Sequence, residues 1–394
     1  MAKRIILATV YNTAASGGLS TFVKLYAEGL RKRGVTVSII DENDMPALQR
    51  FISYKLIRNA LYVLNKDWGM RWYFAAAASM MGKTVGKKMS KGTIIHAQDP
   101  VALCGIITHI KGDPATILNV HGDLANMCRS DNVVTAGGKA EREALAIEKR
   151  AYTEADAVVA VDTRLHDHVQ SFIKRDVDII KNFVDPDAFI PPKANERDTL
   201  RQRLCISGFA VFCPRRLVPK NGVIFAAEAI SIMKDANITL LFAGDGAERR
   251  RIQAIIDQHS LQGRIIMLGD IPHNRIIEYY KACDAVLIPS VTSEGVIEAT
   301  SISALEGMAC ERIVIASDIG GLAELIKNGK TGILVPEQHP KRIADAIRKA
   351  KLPAAKRLGV AARKFIIMNN SVQSQTKRYF TICSRVAKKK RLWR

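Results

Sequence analysis

The residues with the clearest chemical potential are two glutamates in the second half of the chain, Glu298 and Glu306, which stand eight positions apart. They follow Ala285–Pro289, a short apolar run typical of a buried strand. Ser301 or Ser303, which lie between them, could be the N-cap of a helix whose positive end would favour a phosphate. One acid would then lie near a reacting centre, and the other would accept hydrogen bonds from ribose hydroxyls. Two exposed acids in a helical region are the alternative interpretation.

A basic loop precedes this segment. Arg216 and Lys220 come directly after the first strand-like run of the second half. An arginine fork and a lysine point charge are suited to a diphosphate, whereas a solvated basic loop is the alternative. The next two strand-like runs end at Gly244, which allows a ligand to approach closely, and at Asp270 and Ile271, where backbone groups could contact a planar base.

Two turns of the first half carry further candidates. The pair Gly17 and Gly18 follows the first strand-like run and lets backbone N–H groups approach an anion at the next helix N-terminus. The segment lacks the Gly-x-Gly-x-x-Gly pattern of nicotinamide and flavin enzymes, and a tight turn is the alternative. His121 follows another strand-like run, where it could bind a sugar hydroxyl or an oxyanion, or act as a structural hydrogen-bonding group.

The elements that must position these residues alternate between short β-rich runs and helical stretches, and the alternation starts twice. The break falls near residues 185–198, where Asp-Pro-Asp, Pro-Pro and a polar run indicate a linker. This pattern predicts an α/β fold of two doubly wound, Rossmann-like domains that face a central cleft, with ligands beyond the carboxyl ends of the strands. We assign residues 1–184 to the first domain, 185–370 to the second, and 371–394 to a basic C-terminal helix that returns to the first.

The charge of the chain is concentrated in two places. The 394 residues include 59 Lys and Arg against 38 Asp and Glu, for a net charge of +21, and residues 50–91 and 377–394 each carry +8. All three tryptophans lie in these segments. Within 45–91, helical spacing of apolar residues predicts a basic amphipathic helix suited to an anionic membrane surface. A helix packed on the core with a solvated basic face, or nucleic-acid binding, are the alternatives. The apolar positions are Leu48, Phe51, Ile52, Leu56 and Val63.

Several protein classes are disfavoured. No apolar run approaches the ~18–20 residues of a membrane-spanning helix, and the N-terminus lacks a secretory apolar region. Seven scattered cysteines without a Cys-x-x-Cys pair argue against a disulfide framework and a structural zinc site, and they fit a reducing cytosol. We therefore expect a cytoplasmic protein, peripheral on the inner face of the membrane.

Taken together, these segments resemble retaining glycosyltransferase family 4, nucleotide-sugar enzymes of the GT-B fold. The resemblance follows nearly the whole chain in order and is strongest from Phe212 to Pro336. It rests on four stretches: Arg216–Gly222 (RLVPKNG), Phe242–Gly246 (FAGDG), Glu298 to Glu306 with seven residues between, and Ala316–Glu324 (ASDIGGLAE).

The resemblance implies that the nucleotide sugar binds to the second domain. Arg216 and Lys220 would bind its diphosphate, Glu306 its ribose, and Glu298 would lie at the transferred sugar and its phosphate. Three residues would contribute their backbone to the same place: Ala299, Thr300 and Ser301.

The resemblance also implies that the acceptor binds to the first domain. His121 would be the acceptor-domain histidine near the sugar, and Gly17 and Gly18 would form the glycine loop that faces the acceptor or the phosphate.

The basic loop of the second domain departs from the pattern of the family. Many members place the lysine five residues after the arginine, whereas here that position is Asn221 and Lys220 comes four residues after Arg216.

The predicted function is therefore retaining transfer of a sugar from a nucleoside-diphosphate sugar, with UDP preferred, to a glycan or lipid-linked acceptor, as in envelope polysaccharide or lipopolysaccharide synthesis. No Asp-x-Asp stands at a suitable strand end, so we expect no cofactor and no essential metal.

The alternatives to this function are a sugar-nucleotide epimerase of the same fold, a nucleic-acid-binding protein and an inactive scaffold. Localised charge without an aromatic-basic RNA motif argues against nucleic acid as a partner.

Overall fold

The structure, a computed structural model, describes residues 3–15 and 17–393. The chain divides into two compact units. Unit 1 contains the residues up to Lys181, the short stretch Glu294–Val296 and the residues from Gln375 on. Unit 2 contains Asn182–Ser293 and Ile297–Ser374.

Unit 1 is built on a parallel sheet of six strands in the order β2-β1-β3-β4-β5-β6. Every residue of β3 and β4 is buried, because helices cover both faces of a parallel sheet. The strands are β1 (Arg4–Ala8), β2 (Thr36–Ile40), β3 (Thr93–Ala97), β4 (Ala115–Val120), β5 (Ala157–Ala160) and β6 (Asp178–Ile179). The helices are α1 (Gly18–Arg31), α2 (Ala47–Arg50), α3 (Arg58–Leu64), α4 (Lys66–Lys88), α5 (Pro100–His109), α6 (Leu124–Ser130), α7 (Lys139–Glu154) and α8 (Thr163–Phe172), with a 3₁₀ turn at Glu42–Asp44.

The basic amphipathic segment of unit 1 is helical but broken. Helix α2 continues into a π-helix, Phe51–Ile57, and then into α3. Asn65 is extended, and its side chain accepts hydrogen bonds from the backbone N–H groups of Asp67 and Trp68 at 2.9 and 3.3 Å, which starts α4 in a new direction.

The apolar positions of this segment do not pack on the core, which contradicts one of the interpretations of the sequence. Periodicity identified residues that share a face, and the structure leaves that face uncovered. The exposed fractions are 71% for Leu48, 54% for Phe51, 38% for Ile52, 53% for Leu56 and 86% for Val63.

Unit 2 repeats the architecture with a second parallel sheet, in the order β12-β11-β10-β7-β8-β9. Its strands are β7 (Phe209–Cys213), β8 (Ile238–Phe242), β9 (Ile265–Met267), β10 (Ala285–Ile288), β11 (Ile313–Ser317) and β12 (Ile333–Val335). Its helices are α9 (Glu196–Arg203), α10 (Val223–Ser231), α11 (Arg249–Gln258), α12 (His273–Ala282), α13 (Ile302–Ala309), α14 (Gly320–Leu325), α15 (Pro340–Lys351) and α16 (Lys356–Asn369), with 3₁₀ turns at Pro219–Asn221 and Pro353–Ala355.

The last helix, α17 (Val372–Lys389), begins in unit 2 and belongs to unit 1 from Gln375 on. The cations near its end pair with acids of unit 1: Arg385 with Asp178, and Lys390 with both Asp113 and Asp156. These ion pairs offset part of the charge that the sequence concentrates in the tail.

The predicted α/β class with parallel sheets is confirmed. Among the described residues, no helix is both long and apolar enough to span a membrane.

Candidate active site

The centre of the site in unit 2 is an ion pair between Arg215, just after β7, and Glu298, after β10. These strands are adjacent and parallel, so their carboxyl ends meet at one edge of the sheet. Arg215 Nη2 lies 2.6 Å from Glu298 Oε2, and Nη1 lies 3.1 Å from Oε1, which makes a two-point contact. Arg215 Nη2 also donates to Asn221 Oδ1 at 2.6 Å and to Ser290 Oγ at 3.0 Å. Three side chains therefore fix the guanidinium.

Both members of this ion pair are largely removed from water. The side chain of Arg215 is 11% exposed and that of Glu298 is 20% exposed. Burial alone would lower the pKa of Arg215, but the Glu298 carboxylate outweighs it and raises that pKa above its ordinary value. Arg215 is thus a permanent cation with restricted access to water.

Glu298 is held in place through its own backbone and that of the next residues. Gly321 N donates to Glu298 O at 2.9 Å, and a Cβ atom at position 321 would come within 2.4 Å of the Ala299 carbonyl carbon. Only glycine permits this close approach. Asn182 Nδ2 donates to the buried carbonyl of Thr300 at 2.7 Å, which also helps to fix the backbone of residues 298–300.

Helix α13 starts directly after this stretch. Ser301 is its N-cap residue, and Arg215 Nη1 lies 3.4 Å from Ser301 Oγ. The positive end of α13 therefore lies beside the guanidinium, at the same edge of the sheet. Of the predicted residues, Glu298 and Ser301 thus contact the Arg215 guanidinium, and Ala299 and Thr300 form the backbone between them.

Glu306 lies inside α13 and is 3% exposed. Tyr280 donates its hydroxyl proton to Glu306 Oε2 at 2.8 Å, and His273 Nδ1 is 4.0 Å from Oε1. Burial raises the pKa of Glu306 to about 8, despite the opposing effect of the Tyr280 hydrogen bond. The carboxyl group is therefore mostly protonated at neutral pH in the absence of a ligand.

The other predicted contacts of unit 2 lie in the turns after β8 and β9. A Cβ atom at Gly244 would come within 2.5 Å of Arg215 O, so the turn after β8 can pass close to the arginine loop only with glycine there. Gly244 N donates to Gly269 O at 2.8 Å, which joins the two turns. Asp270 is exposed and Ile271 is half-buried beside them.

The predicted histidine, His121, follows β4 in unit 1. Its Nε2 lies 2.8 Å from Asn119 Nδ2 and 3.1 Å from Gln98 Oε1, and Tyr379 donates its hydroxyl proton to Asn119 Oδ1 at 2.9 Å. Burial lowers the pKa of His121 to about 3, so its ring is neutral at neutral pH. The geometry is that of a fixed, uncharged hydrogen-bonding group, and α17 contributes to it through Tyr379.

The predicted glycine pair lies at the start of α1. Gly17 is its N-cap residue and Gly18 its first residue, and both are exposed. The first turn of α1 is therefore open to a ligand of unit 1.

Comparison with known proteins identifies the family. The family model described as glycosyl transferases group 1 matches residues 202–365, and that of Glycosyltransferase Family 4 matches residues 16–188. The chain belongs to the family 4 glycosyltransferases. This confirms the family and the enzyme class predicted from the sequence.

Two relatives illustrate the range of the family. A D-inositol 3-phosphate glycosyltransferase of Acidothermus cellulolyticus is 26% identical over 84% of this chain and 77% of its own length. An uncharacterized glycosyltransferase, MJ1607, of Methanocaldococcus jannaschii is 26% identical over 83% of both chains.

Solved structures confirm the GT-B fold. The sucrose-phosphate synthase of Thermosynechococcus elongatus superimposes with a TM-score of 0.77 at 20% identity, covering 98% of this chain and 99% of its own. Anabaena HepE, in complex with UDP, gives a TM-score of 0.72 at 18% identity, covering 97% and 100%.

In this family 4 enzyme, the structure places Arg215 rather than Arg216 at Glu298. The side chain of Arg216 is exposed and makes no hydrogen bond or ion pair with any residue in 3–15 or 17–393, while Lys220 is half-buried in the turn that follows. Lys220 comes five residues after Arg215, which is the spacing that many family members have. That spacing is the signal that could have identified Arg215 from the sequence.

The raised pKa of Glu306 predicts a pH-dependent effect of Glu306→Gln on stability. As the pH rises from 4.5 towards about 8, the unfolded chain loses this proton before the folded protein does, so the stability of the wild type falls. Glutamine has no proton to lose. The melting temperature of the variant, relative to wild type, should therefore rise by several degrees across this interval.

Calorimetry at both ends of the interval measures this difference. Glu28→Gln is the matched control, because Glu28 is exposed and its charge stays in water. A difference between Glu306→Gln and wild type that stays constant with pH would contradict the assignment.

Proposed function

We propose that the enzyme transfers a sugar, with retention, from a nucleoside-diphosphate sugar bound by unit 2 to a hydroxyl group of an acceptor bound by unit 1. The observation that carries this proposal is the buried Arg215 guanidinium beside Glu298 and the N-terminus of α13. UDP is the preferred nucleoside diphosphate of the donor. Structures of HepE with UDP and with UDP-glucose support that preference through the shared fold.

The diphosphate of the donor is proposed to bind to Arg215 and Lys220. As the bond between the sugar and the diphosphate breaks, negative charge develops on the leaving group. Fixed cations and the N–H groups at the start of α13 stabilise that charge without having to reorganise. Arg215 is already oriented by Asn221 and Ser290, so little further ordering is needed.

The two glutamates are proposed to bind different parts of the donor. Glu298 faces the transferred sugar, whose hydroxyl groups donate to its carboxylate. Glu306 accepts hydrogen bonds from the ribose hydroxyls, which favour its ionised form and offset the burial that now raises its pKa.

The acceptor is proposed to bind near His121, Gly17 and Gly18. A neutral imidazole can hydrogen-bond a sugar hydroxyl without attracting a competing anion. Orienting the acceptor hydroxyl and excluding water favour transfer over hydrolysis of the donor.

The acceptor is proposed to be a glycan or lipid-linked molecule at the cytoplasmic face of an anionic membrane. Support comes from the exposed apolar side chains of residues 48–72, which lie among basic ones. The larger of these side chains are those of Leu48, Phe51, Ile52, Leu56, Val63, Leu64, Trp68 and Trp72.

The seven cysteines are all free and six are buried, in keeping with a reducing compartment.

The first prediction of this proposal separates the two adjacent arginines. Arg215→Ala should reduce sugar transfer by about 100-fold, because it removes a fixed cation at the developing charge. Arg216→Ala should change transfer by about twofold or less, as expected for an exposed side chain. Initial rates with UDP-sugars, and binding of UDP followed by thermal shift, measure both effects.

Arg215→Lys controls for the loss of the buried charge, since it keeps a cation beside Glu298. Equal losses in Arg215→Ala and Arg216→Ala would contradict the proposed role of Arg215.

A second prediction concerns metal ions. If Arg215, Lys220 and α13 supply the positive charge, transfer should persist at an undiminished rate after treatment with EDTA. Loss of activity that added Mg²⁺ or Mn²⁺ restores would contradict a metal-independent reaction.

A third prediction concerns the membrane. The double variant Phe51→Ser/Trp72→Ser should reduce co-flotation with anionic vesicles by about tenfold or more, because each side chain contributes about 1.5–3 kcal/mol when buried in an apolar phase. The control Leu352→Ser/Met368→Ser removes two exposed apolar side chains of unit 2, which are 59% and 68% exposed. Equal binding of the first variant and wild type would contradict the proposed membrane surface.

A further inference from the structure

Arg58, the first residue of α3, is held in an unusual way. The central carbon of its guanidinium lies 5.4 Å from the ring centroid of Tyr73 and 5.9 Å from that of Tyr62. Its Nη2 is 4.0 Å from Met70 Sδ, a weak contact, and its Nε is buried without a hydrogen-bond partner. Within 3–15 and 17–393, no carboxylate pairs with Arg58. The cation is thus oriented by aromatic rings while its charge is not neutralised.

Three other basic residues of the same segment have polar partners, which Arg58 lacks among the residues that the structure describes. Arg71 Nε pairs with Glu143 Oε2 at 2.5 Å, and Lys66 Nζ donates to Asn132 Oδ1 at 3.0 Å. Arg50 Nη1 donates to Glu42 O at 2.5 Å. A purely structural arginine would be expected to acquire such a partner, because an unpaired charge that is partly removed from water is costly.

One of the rings beside Arg58 lies near the edge of unit 1 where ligands of this fold bind. The rings of Tyr54 and Tyr73 are 5.0 Å apart, and Tyr54 is buried. Burial raises the pKa of Tyr73 well above its ordinary value, with smaller contributions from the nearby Tyr11 and Asp99, which follow the carboxyl ends of β1 and β3. Tyr73, one of the two rings beside Arg58, therefore lies near the carboxyl edge of the sheet.

The segment is anchored to that edge by hydrogen bonds. Asn43, which follows β2, donates through Nδ2 to Asn12 Oδ1 in the turn after β1 at 2.8 Å. Arg50 then ties the start of the segment to Glu42. The start of the segment that carries Arg58 is thereby fixed relative to the turns of the sheet.

We propose that Arg58 binds a phosphoryl group of the acceptor. The planar fork of arginine matches phosphate oxygens, and stacking against aromatic rings replaces part of its hydration. The exposed apolar side chains that flank Arg58, among them Leu56 and Val63, place this cation where the phosphate of a lipid would lie. The inference rests on the proposed function and adds the chemical class of the acceptor, which is a phosphorylated one, soluble or lipid-linked.

The test compares wild type, Arg58→Gln, Arg58→Lys and Lys55→Gln in the full chain. Lys55 is exposed on the preceding turns, so Lys55→Gln removes one positive charge from the same segment without touching the stacked arginine. One arm measures calorimetric binding of glycerol 3-phosphate, with glycerol as the uncharged comparison. The other arm measures flotation with phosphatidylcholine vesicles that contain phosphatidic acid, or oleic acid at equal surface charge.

Wild type should bind vesicles with phosphatidic acid more tightly than vesicles with oleic acid. In Arg58→Gln the ratio of the two affinities should fall by about tenfold, the amount expected for a charge-assisted hydrogen bond. Lys55→Gln should weaken binding to both kinds of vesicle equally. Loss of glycerol 3-phosphate binding in Arg58→Gln would indicate a soluble phosphorylated acceptor, and loss in the vesicle arm alone a lipid phosphate. Either result supports the proposal.

The proposal is overturned if wild type shows no phosphate preference in either arm, or if folded Arg58→Gln behaves like wild type or like Lys55→Gln. Should Arg58→Gln fail to fold, Arg58→Lys decides, because it keeps the charge without the planar fork and should still lose the preference severalfold. The thermal shift with UDP is measured on the same proteins. If UDP causes no thermal shift in wild type, the proposed function is contradicted, while the result on phosphate binding stands on its own.

Discussion

The interaction on which the site depends is the largely buried contact between Arg215 and Glu298. Taking two opposite charges out of water is tolerable only when they meet with good geometry and further hydrogen bonds. Asn221 and Ser290 supply those hydrogen bonds, and the close approach of Gly321 keeps Glu298 in reach. The turns after β7 and β10 and the start of α13 are therefore arranged around one cation.

This arrangement suits an enzyme whose reaction releases an anion. A cation that is already desolvated and oriented stabilises a departing diphosphate more effectively than one that must first leave water. Glu306 gives the opposite case on the same helix. Its burial keeps it mostly protonated despite the hydrogen bond from Tyr280, and further donors from a ligand would favour the ionised form. Helix α13 thus begins beside the fixed positive charge of Arg215 and contains a carboxyl group, that of Glu306, which is mostly uncharged.

Much of the fold and part of the site were predictable from the sequence. The alternation of strands and helices predicts two parallel sheets, and the sequence predicts one acid, Glu298, just before a helix and the other, Glu306, inside it. Residue types alone did not decide between Arg215 and Arg216, although the five-residue spacing from Arg215 to Lys220 favours Arg215. Adjacent residues after a strand point in different directions, and the direction is decided by contacts with distant partners such as Ser290 and Glu298. Periodicity in 45–91 likewise identified a shared apolar face, but not that this face stays uncovered, because periodicity carries no information about what packs against a face.

A crystal structure of the protein with a bound nucleoside diphosphate would test the central claim most directly. Our account predicts diphosphate oxygens within hydrogen-bonding distance of the Arg215 guanidinium and Lys220, with the ribose at Glu306. A diphosphate bound elsewhere, with Arg215 still paired only to Glu298 and its neighbours, would contradict it.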